Sequence, residues 1–253
     1  MPNPIINRRV VLGGGGVIAP APPLSGLIAR WESDNITGLN DGDPISTWPD
    51  TSGLGRDATQ ATASLKPLFK TNIFGTKPAV RFDGSNDKLT FTTTSIPSWT
   101  MFTVMTVRTY KAFAGTITWR AAGEAGFVFW DTIGNAAAWV PSIIRTNTSN
   151  AEVLSNYKNV NGYIFVAPYP SGPGIFMMRY NDGSTTLDCR RDALAYAGTT
   201  AGGFTGVSTE GSLGIGFDYL NADVGAFLVY DTNLSDANAD LAFNYLNTKY
   251  IVY

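Results

Sequence analysis

At 253 residues, the chain is long enough to form one large domain with a buried core. Apolar residues make up 44% of it and charged residues only 15%, and it has a formal net charge of −2 and no histidine. This composition excludes Ser-His-Asp catalysis and histidine-ligated zinc, and it offers no electrostatic footprint for nucleic acid. No apolar run approaches the roughly 18 residues of a membrane-spanning helix. The lone Cys189 provides neither an internal disulfide nor a thiolate metal site.

The first 24 residues differ in composition from the rest of the chain. They contain a four-glycine tract at residues 13–16 and prolines at both ends, which prevents a helix and supplies no core. We predict that residues 1–24 form an extended arm that docks as an added strand on a partner surface. The predicted docking residues are Ile5, Ile6, Arg8, Arg9, Val10, Val11 and Leu12. An unconstrained tail is the alternative.

The same segment loosely imitates a secretory signal peptide, with two arginines before an apolar stretch and small residues near position 20. The central glycines make a poor apolar stretch, and a proline lies inside the proposed cleavage motif. We therefore do not expect cleavage.

From residue 25 onward, short apolar strands alternate with turn signals rich in Asp, Asn, Gly and Pro. The predicted strands are residues 27–31, 45–48, 79–82, 88–91, 100–110, 116–119, 126–130, 138–144, 162–167, 174–180, 211–217 and 223–230. The turn at 83–87 predicts that the strands on either side of it form a β-hairpin. Within 100–110, alternate positions are apolar on both faces, which predicts a strand in the middle of a packed sandwich.

One helix is predicted near the C-terminus. Ser235 is a suitable N-cap, Asp236 suits the positive end of the helix dipole, and Leu241, Tyr245 and Thr248 follow at helical spacing. The predicted fold is therefore all-β: an antiparallel jelly-roll β-sandwich over residues 25–253, with an extended N-terminal arm and one short C-terminal helix.

Four segments, at residues 26–31, 48–53, 77–89 and 213–250, carry a family resemblance. Trp48-Pro-Asp-Thr-Ser-Gly53 and Phe82-Asp-Gly-Ser-Asn-Asp87, followed by the Leu-Ser-Asp helix start, resemble the concanavalin A-like lectin/glucanase jelly roll. Within that superfamily they resemble the laminin-G-like form, which is common in phage and bacterial surface proteins. The resemblance implies the fold and leaves the function open, because this fold hosts lectins, glycosidases, adhesion modules and virion proteins.

The glycosidase branch of that superfamily can be tested on the carboxylates. Laminarinase-like members carry a Glu-x-Asp-x-(x)-Glu strand motif, and retaining hydrolysis needs two carboxyls about 5–5.5 Å apart. The chain has four glutamates, namely Glu32, Glu124, Glu152 and Glu210. Only Glu32 has an acidic neighbour at suitable spacing, Asp34, and the third carboxylate is missing. We therefore predict that the protein is not an enzyme.

A calcium site is a further candidate, since laminin-G-like domains often bind calcium. Two oxygen-rich loops could contribute, one with Asp41 and Asp43 and the other with Asp83 and Asp87. Each loop offers only two carboxylates, whereas calcium takes six to eight oxygen ligands. Ordinary turn chemistry is the favoured interpretation, and we predict no metal or other cofactor.

A sugar-stacking surface is the third candidate. Exposed aromatic side chains stack on pyranose rings, and the predicted glycan platform consists of Trp119, Trp130, Trp139 and Tyr169. The alternative is that these rings fill the sandwich core.

These features lead to a primary hypothesis of a non-enzymatic structural protein of a phage virion, of the capsid decoration or head-fibre type. The lectin-like domain would lie at the virion surface, anchored by the arm to viral capsid or tail proteins. The resemblance favours a homo-oligomer, specifically a trimer. The alternative is a carbohydrate-binding receptor-recognition module of a tail fibre or secreted bacterial protein. A laminarinase-type enzyme is the third hypothesis.

Overall fold

The computed structural model describes residues 21–93, 96, 98–108, 124–127, 129–131, 140–145, 151–157, 165–168, 172–181, 186–192, 194–199, 211–215 and 220–253. Within them the fold is β-rich and has one α-helix, α1 (Asp236–Tyr250). The strands in chain order are β1 (Leu27–Glu32), β2 (Thr47–Trp48), β3 (Ala58–Thr59), β4 (Leu68–Phe74), β5 (Lys77–Asp83), β6 (Leu89–Thr93), β7 (Trp99–Val107), β8 (Glu124–Phe127), β9 (Phe129–Asp131), β10 (Val140–Arg145), β11 (Ala151–Tyr157), β12 (Phe165–Pro168), β13 (Gly174–Tyr180), β14 (Thr186–Arg191), β15 (Leu194–Thr199), β16 (Gly211–Ile215) and β17 (Asn221–Tyr230).

The strands form three antiparallel sheets. The largest has the order β15-β14-β13-β7-β17-β5-β4, with β1 also paired to β17. A five-stranded sheet has the order β2-β3-β6-β16-β9, and a four-stranded sheet has the order β12-β11-β10-β8. The predicted fold class, an antiparallel β-sandwich with one short C-terminal helix, is confirmed.

The largest sheet is covered on both faces, as its alternating sequence predicts. Along β7, Met101 and Met105 face a core shared with the five-stranded sheet, which contributes Trp48 and Phe91. Phe102 and Val104 face the opposite side, where they pack against α1. Because successive side chains of a strand point to opposite faces, an apolar run can be buried only between two layers.

Strand β17 shows how a single bulge adjusts this alternation. Ala222 and Val224 lie in the core under the five-stranded sheet, but beyond the register shift it is Phe227 and Val229 that do so. The odd residue is Gly225. A β-carbon there would lie 2.9 Å from the Tyr250 ring, so only glycine lets the helix approach this closely.

Helix α1 begins as predicted, with Ser235 as N-cap accepting a hydrogen bond from Asn238 N at 3.3 Å. Its buried face is Ala239, Ala242, Phe243, Tyr245, Leu246 and Tyr250. Of the residues predicted at helical spacing, Tyr245 lies on this buried face, whereas Leu241, which is 47% exposed, and Thr248 lie outside it. The reason is that the small alanines on the neighbouring stripe let the helix sit close to the sheet. No described helix is both long and apolar enough to span a membrane.

The prediction of a hairpin around residues 83–87 is wrong. Strand β5 belongs to the largest sheet and β6 to the five-stranded sheet, so the turn carries the chain across the sandwich. Phe82 and Leu89 both need burial, and they achieve it in the same core from opposite layers. Turn residues alone do not distinguish a hairpin from such a crossing.

Candidate functional site

A surface cleft of about 310 Å³ opens beside the chain that joins β1 to β3. Its walls come from the loop that follows a short 3-10 turn (Ser33–Asn35) and from the segment that leads into β2. The lining residues are Asn35, Ile36, Thr37, Leu39, Pro44, Ser46, Thr47 and Pro49. A volume of this size falls near the lower end of the ~300–1,000 Å³ typical of small-molecule sites.

Local sequence sets the polarity of this cleft. In β2, Trp48 is fully buried and Thr47 is exposed, so strand alternation turns the threonine hydroxyl outward while the indole fills the core. Ile36 is anchored in the core and Leu39 packs against it. The short loops between these anchors leave the hydroxyls of Thr37 and Ser46 at the surface.

Asp50 holds the loop after the cleft in place. Its carboxylate accepts hydrogen bonds from the backbone N–H groups of Arg30, Ser52 and Arg56 at 2.8–2.9 Å, and from the Ser52 hydroxyl at 2.7 Å. Burial acts to raise the pKa of Asp50, but these hydrogen bonds outweigh it and hold the pKa below its usual value. The motif Trp48-Pro-Asp-Thr-Ser-Gly53 thus has a structural role: its aspartate links β1 to the loop through hydrogen bonds.

Glu32 and Asp34 come just before the first cleft residue in the chain, and both are engaged in ion pairs. Each forms an ion pair with Lys249 Nζ at 3.0 Å, and Asp34 also forms one with Lys77 Nζ at 2.8 Å. The Tyr245 hydroxyl donates a hydrogen bond to the carboxylate of Glu32, which is only 2% exposed. Burial acts to raise the pKa of Asp34, but the two lysines outweigh it and lower the pKa. A general acid needs the opposite shift.

The four calcium candidates are engaged in local contacts. Asp41 pairs with Lys70, and Asp43 accepts from Asn40 N at 2.7 Å. In the other loop, Asp83 accepts from Ser85 N at 2.7 Å and Asp87 accepts from Asp83 N at 2.9 Å. Across the part of the chain that the structure describes, no three acidic, Cys or His side chains converge to hold a metal ion.

The other predicted site residues cannot be located in this structure. The arm residues Ile5, Ile6, Arg8, Arg9, Val10, Val11 and Leu12, and the platform residues Trp119, Trp139 and Tyr169, lie outside the described residues. Trp130 lies in β9, where only the backbone is described. The arm and the glycan platform therefore stay predictions.

The cleft was not predicted from the sequence. The available signal was the Ser, Thr and Asn residues between the buried Trp31 and Trp48, which indicates a polar surface but not its concave shape. The contact of Glu32 with Tyr245 had no local signal at all, since 213 positions separate the two residues.

Solved structures share this fold over most of the chain. Domain 4 of AbnA, a GH43 extracellular arabinanase from Geobacillus stearothermophilus, solved in complex with arabinotriose, matches with a TM-score of 0.55 at 13% identity. The match covers 86% of this chain and 98% of that one. The binding domain of botulinum neurotoxin DC, in complex with SialylT, matches with a TM-score of 0.60 at 13% identity, covering 88% of this chain and 52% of that one.

A third similar structure is a GH54 α-L-arabinofuranosidase soaked with a cyclic sulfate inhibitor, with a TM-score of 0.58, 14% identity and coverage of 83% and 52%. The chain thus spans about half the length of the toxin and arabinofuranosidase chains. No protein-family model and no curated protein sequence matches. At these identities the likeness establishes the fold alone, a β-sandwich.

Proposed function

We propose that this chain is a non-enzymatic carbohydrate-binding module. The observation that carries the proposal is the fold shared over 86–88% of the chain with two domains, one solved in complex with arabinotriose and one, a toxin binding domain, in complex with SialylT. Fold alone does not fix function, so the proposal also draws on a polar surface cleft of suitable size.

The proposal is non-enzymatic because of the state of Glu32 and Asp34, the carboxylate pair that the glycosidase interpretation singled out. Retaining or inverting hydrolysis needs one carboxyl with a raised pKa beside an open substrate site. Glu32 is buried, and the lysines around Asp34 lower its pKa. Asp34 is therefore unsuited to donating a proton, and Glu32 is buried against Lys249 and Tyr245 of the helix instead of facing an open substrate site.

The test is binding of the purified full-length chain to a panel of neutral and sialylated oligosaccharides, followed by calorimetry on any ligand found. We expect saturable binding in the micromolar to millimolar range that is typical of single carbohydrate modules. Alanine variants at Trp119, Trp130, Trp139 and Tyr169 then test the aromatic platform separately. Turnover of any polysaccharide would contradict the non-enzymatic assignment, and absence of glycan binding would contradict the module itself.

A second candidate function draws on the composition of residues 1–24. A segment rich in glycine and proline, with two arginines between apolar pairs, suits an anchoring arm that pairs with a neighbouring sheet edge. On this proposal the chain is a surface protein of a phage virion, of capsid decoration or head-fibre type, and assembles as a trimer. Many tethered copies would bind a particle strongly through multivalency.

Co-sedimentation with purified particles of the source virus tests this second function. The comparison is between the whole chain and a chain lacking residues 1–24, with the mass of each measured in solution. Binding of the whole chain alone supports an anchoring arm. Equal binding, or none, contradicts it, and a monomeric mass contradicts the trimer.

A further inference from the structure

We propose that the cleft beside β2 binds a short, neutral saccharide and selects against sialylated or other anionic glycans. This inference rests on the proposed function and adds the site and the ligand class to it. It follows from three properties of the lining residues: free hydrogen-bonding groups, apolar patches and the absence of charge.

The polar lining groups are free to bind a ligand. Among the described contacts, the hydroxyls of Thr37, Ser46 and Thr47 form no hydrogen bond within the protein. Asn35 donates from Nδ2 to the Glu32 carboxylate at 3.3 Å. Because a carboxylate only accepts, this contact orients the amide and leaves the Asn35 Oδ1 oxygen as an acceptor. Three groups that both donate and accept, together with one acceptor, match the hydroxyls of a saccharide.

The apolar lining residues suit the C–H surface of a sugar ring. Ile36 is buried and held in the core, and Leu39 packs against that core, so the floor between the polar groups is firm. Pro44 and Pro49 add rigid apolar surface to the lining. Rigid walls lower the entropy lost on binding, because few side chains have to be ordered.

Charge decides the ligand class. None of the eight lining residues is charged. Every charged residue directly next to a lining residue in the sequence is an aspartate: Asp34, Asp43 and Asp50. A glycan carboxylate or sulfate bound here would find no arginine or lysine among the lining residues to pair with. A neutral saccharide needs no cationic partner. The three neighbouring aspartates already have hydrogen-bond or ion-pair partners within the protein.

The experiment measures binding of the full-length chain to neutral oligosaccharides, including arabinotriose, and to sialylated ones such as sialyllactose. Ser46→Trp fills the cleft, and Thr47→Val removes one hydroxyl while keeping the side-chain shape. Both positions are exposed, so both variants should fold, which circular dichroism and urea unfolding verify. Thr248→Trp, on the exposed face of α1 in the opposite layer, is the matched control for added bulk.

We expect neutral saccharides to bind, Ser46→Trp to abolish that binding, and Thr47→Val to weaken it roughly tenfold, the effect of one lost hydrogen bond. Thr248→Trp should bind like the wild type. If neutral saccharides bind but the cleft variants have no effect, the cleft assignment is wrong and the proposed function stands. If only anionic glycans bind, the ligand class is wrong. If no glycan binds, the proposed function fails and this inference fails with it.

Discussion

At the scale of single residues, aspartates fix the loops of this protein in different ways. Asp50 accepts four hydrogen bonds and its pKa is lowered, whereas Asp87 is only 8% exposed and has a raised pKa. Both belong to motifs that the sequence marks as turns. Their difference arises from the number of hydrogen-bond donors that each carboxylate meets in the folded chain.

Asp87 should give the protein a pH-dependent stability. Burial and the nearby Asp83 carboxylate raise its pKa to about 6, although a backbone hydrogen bond from Asp83 opposes the shift. The folded state therefore holds this proton more tightly than the unfolded chain, whose pKa is near the ordinary 3.8. Its contribution to the free energy of unfolding falls as pH rises from about 4 to about 6 and is constant outside that window.

Asp87→Asn should remove this loss, since the amide oxygen can still accept from Asp83 N. Relative to the wild type, the variant should gain stability between pH 4 and pH 6, reaching about 1–2 kcal/mol at pH 7 after allowance for solvent screening. Urea unfolding at each pH measures this, with Asp231→Asn, at an exposed position, as the control for removing one negative charge. A constant difference between wild type and variant across that range would contradict the prediction.

At the scale of elements, the C-terminal helix is joined to the sandwich at both ends. Near its start, Arg179 of β13 and Arg190 of β14 both donate to Asp236, each at 2.5 Å. Near its end, Lys249 and Tyr245 meet the buried Glu32 of β1. The helix covers a sheet face that would otherwise be exposed and apolar, so these contacts secure a large burial of surface.

Lys249→Met should therefore destabilise the fold even though Lys249 lies in the last turn of the helix. The change leaves Glu32 and Asp34 without their shared cation, and Glu32 cannot reach water. We expect a loss of about 2–3 kcal/mol, below the ~3–5 kcal/mol for a fully broken buried pair, because Tyr245 and Asn35 still contact Glu32.

Urea unfolding measures the loss, and Lys249→Arg, which keeps the charge, should recover most of it. Tyr245→Phe provides a second variant and should cost about 1–2 kcal/mol through the lost hydrogen bond. If Lys249→Met were as stable as the wild type, the ion pair would contribute nothing to helix docking.

At the scale of the whole molecule, the two core clusters are both built from residues between Leu27 and Tyr250. The first and last of the core elements, β1 and α1, are linked directly through Glu32 and Tyr245. The chain ends of the domain are thus held together, as expected for a closed folding unit.

We therefore expect residues 25–253 to fold without the arm. Removing residues 1–24 should leave the urea midpoint and the steepness of the transition unchanged, because the core clusters of the described residues are built from positions 27–250. Urea unfolding of both chains, followed by fluorescence of the tryptophans, measures this. A lower midpoint in the shorter chain would show that the proposed domain boundary is misplaced.

The sequence alone specified the fold class, the N-cap of the helix and the burial of β7 on both faces. These depend on the period of apolar residues and on local capping chemistry, which neighbours along the chain specify. It did not determine β4, whose apolar positions are irregular because a register shift interrupts its pairing and Asn72 has a positive φ of 56°.

Three features became visible only in the folded chain: the turn at 83–87 crosses between sheets, Gly225 accommodates the Tyr250 ring, and Glu32 meets Tyr245 and Lys249. The cleft belongs to the same class of feature, because its concave shape arises from two loops held apart by buried anchors. Such features depend on contacts between residues distant in the chain, and no local pattern specifies which distant residues will meet.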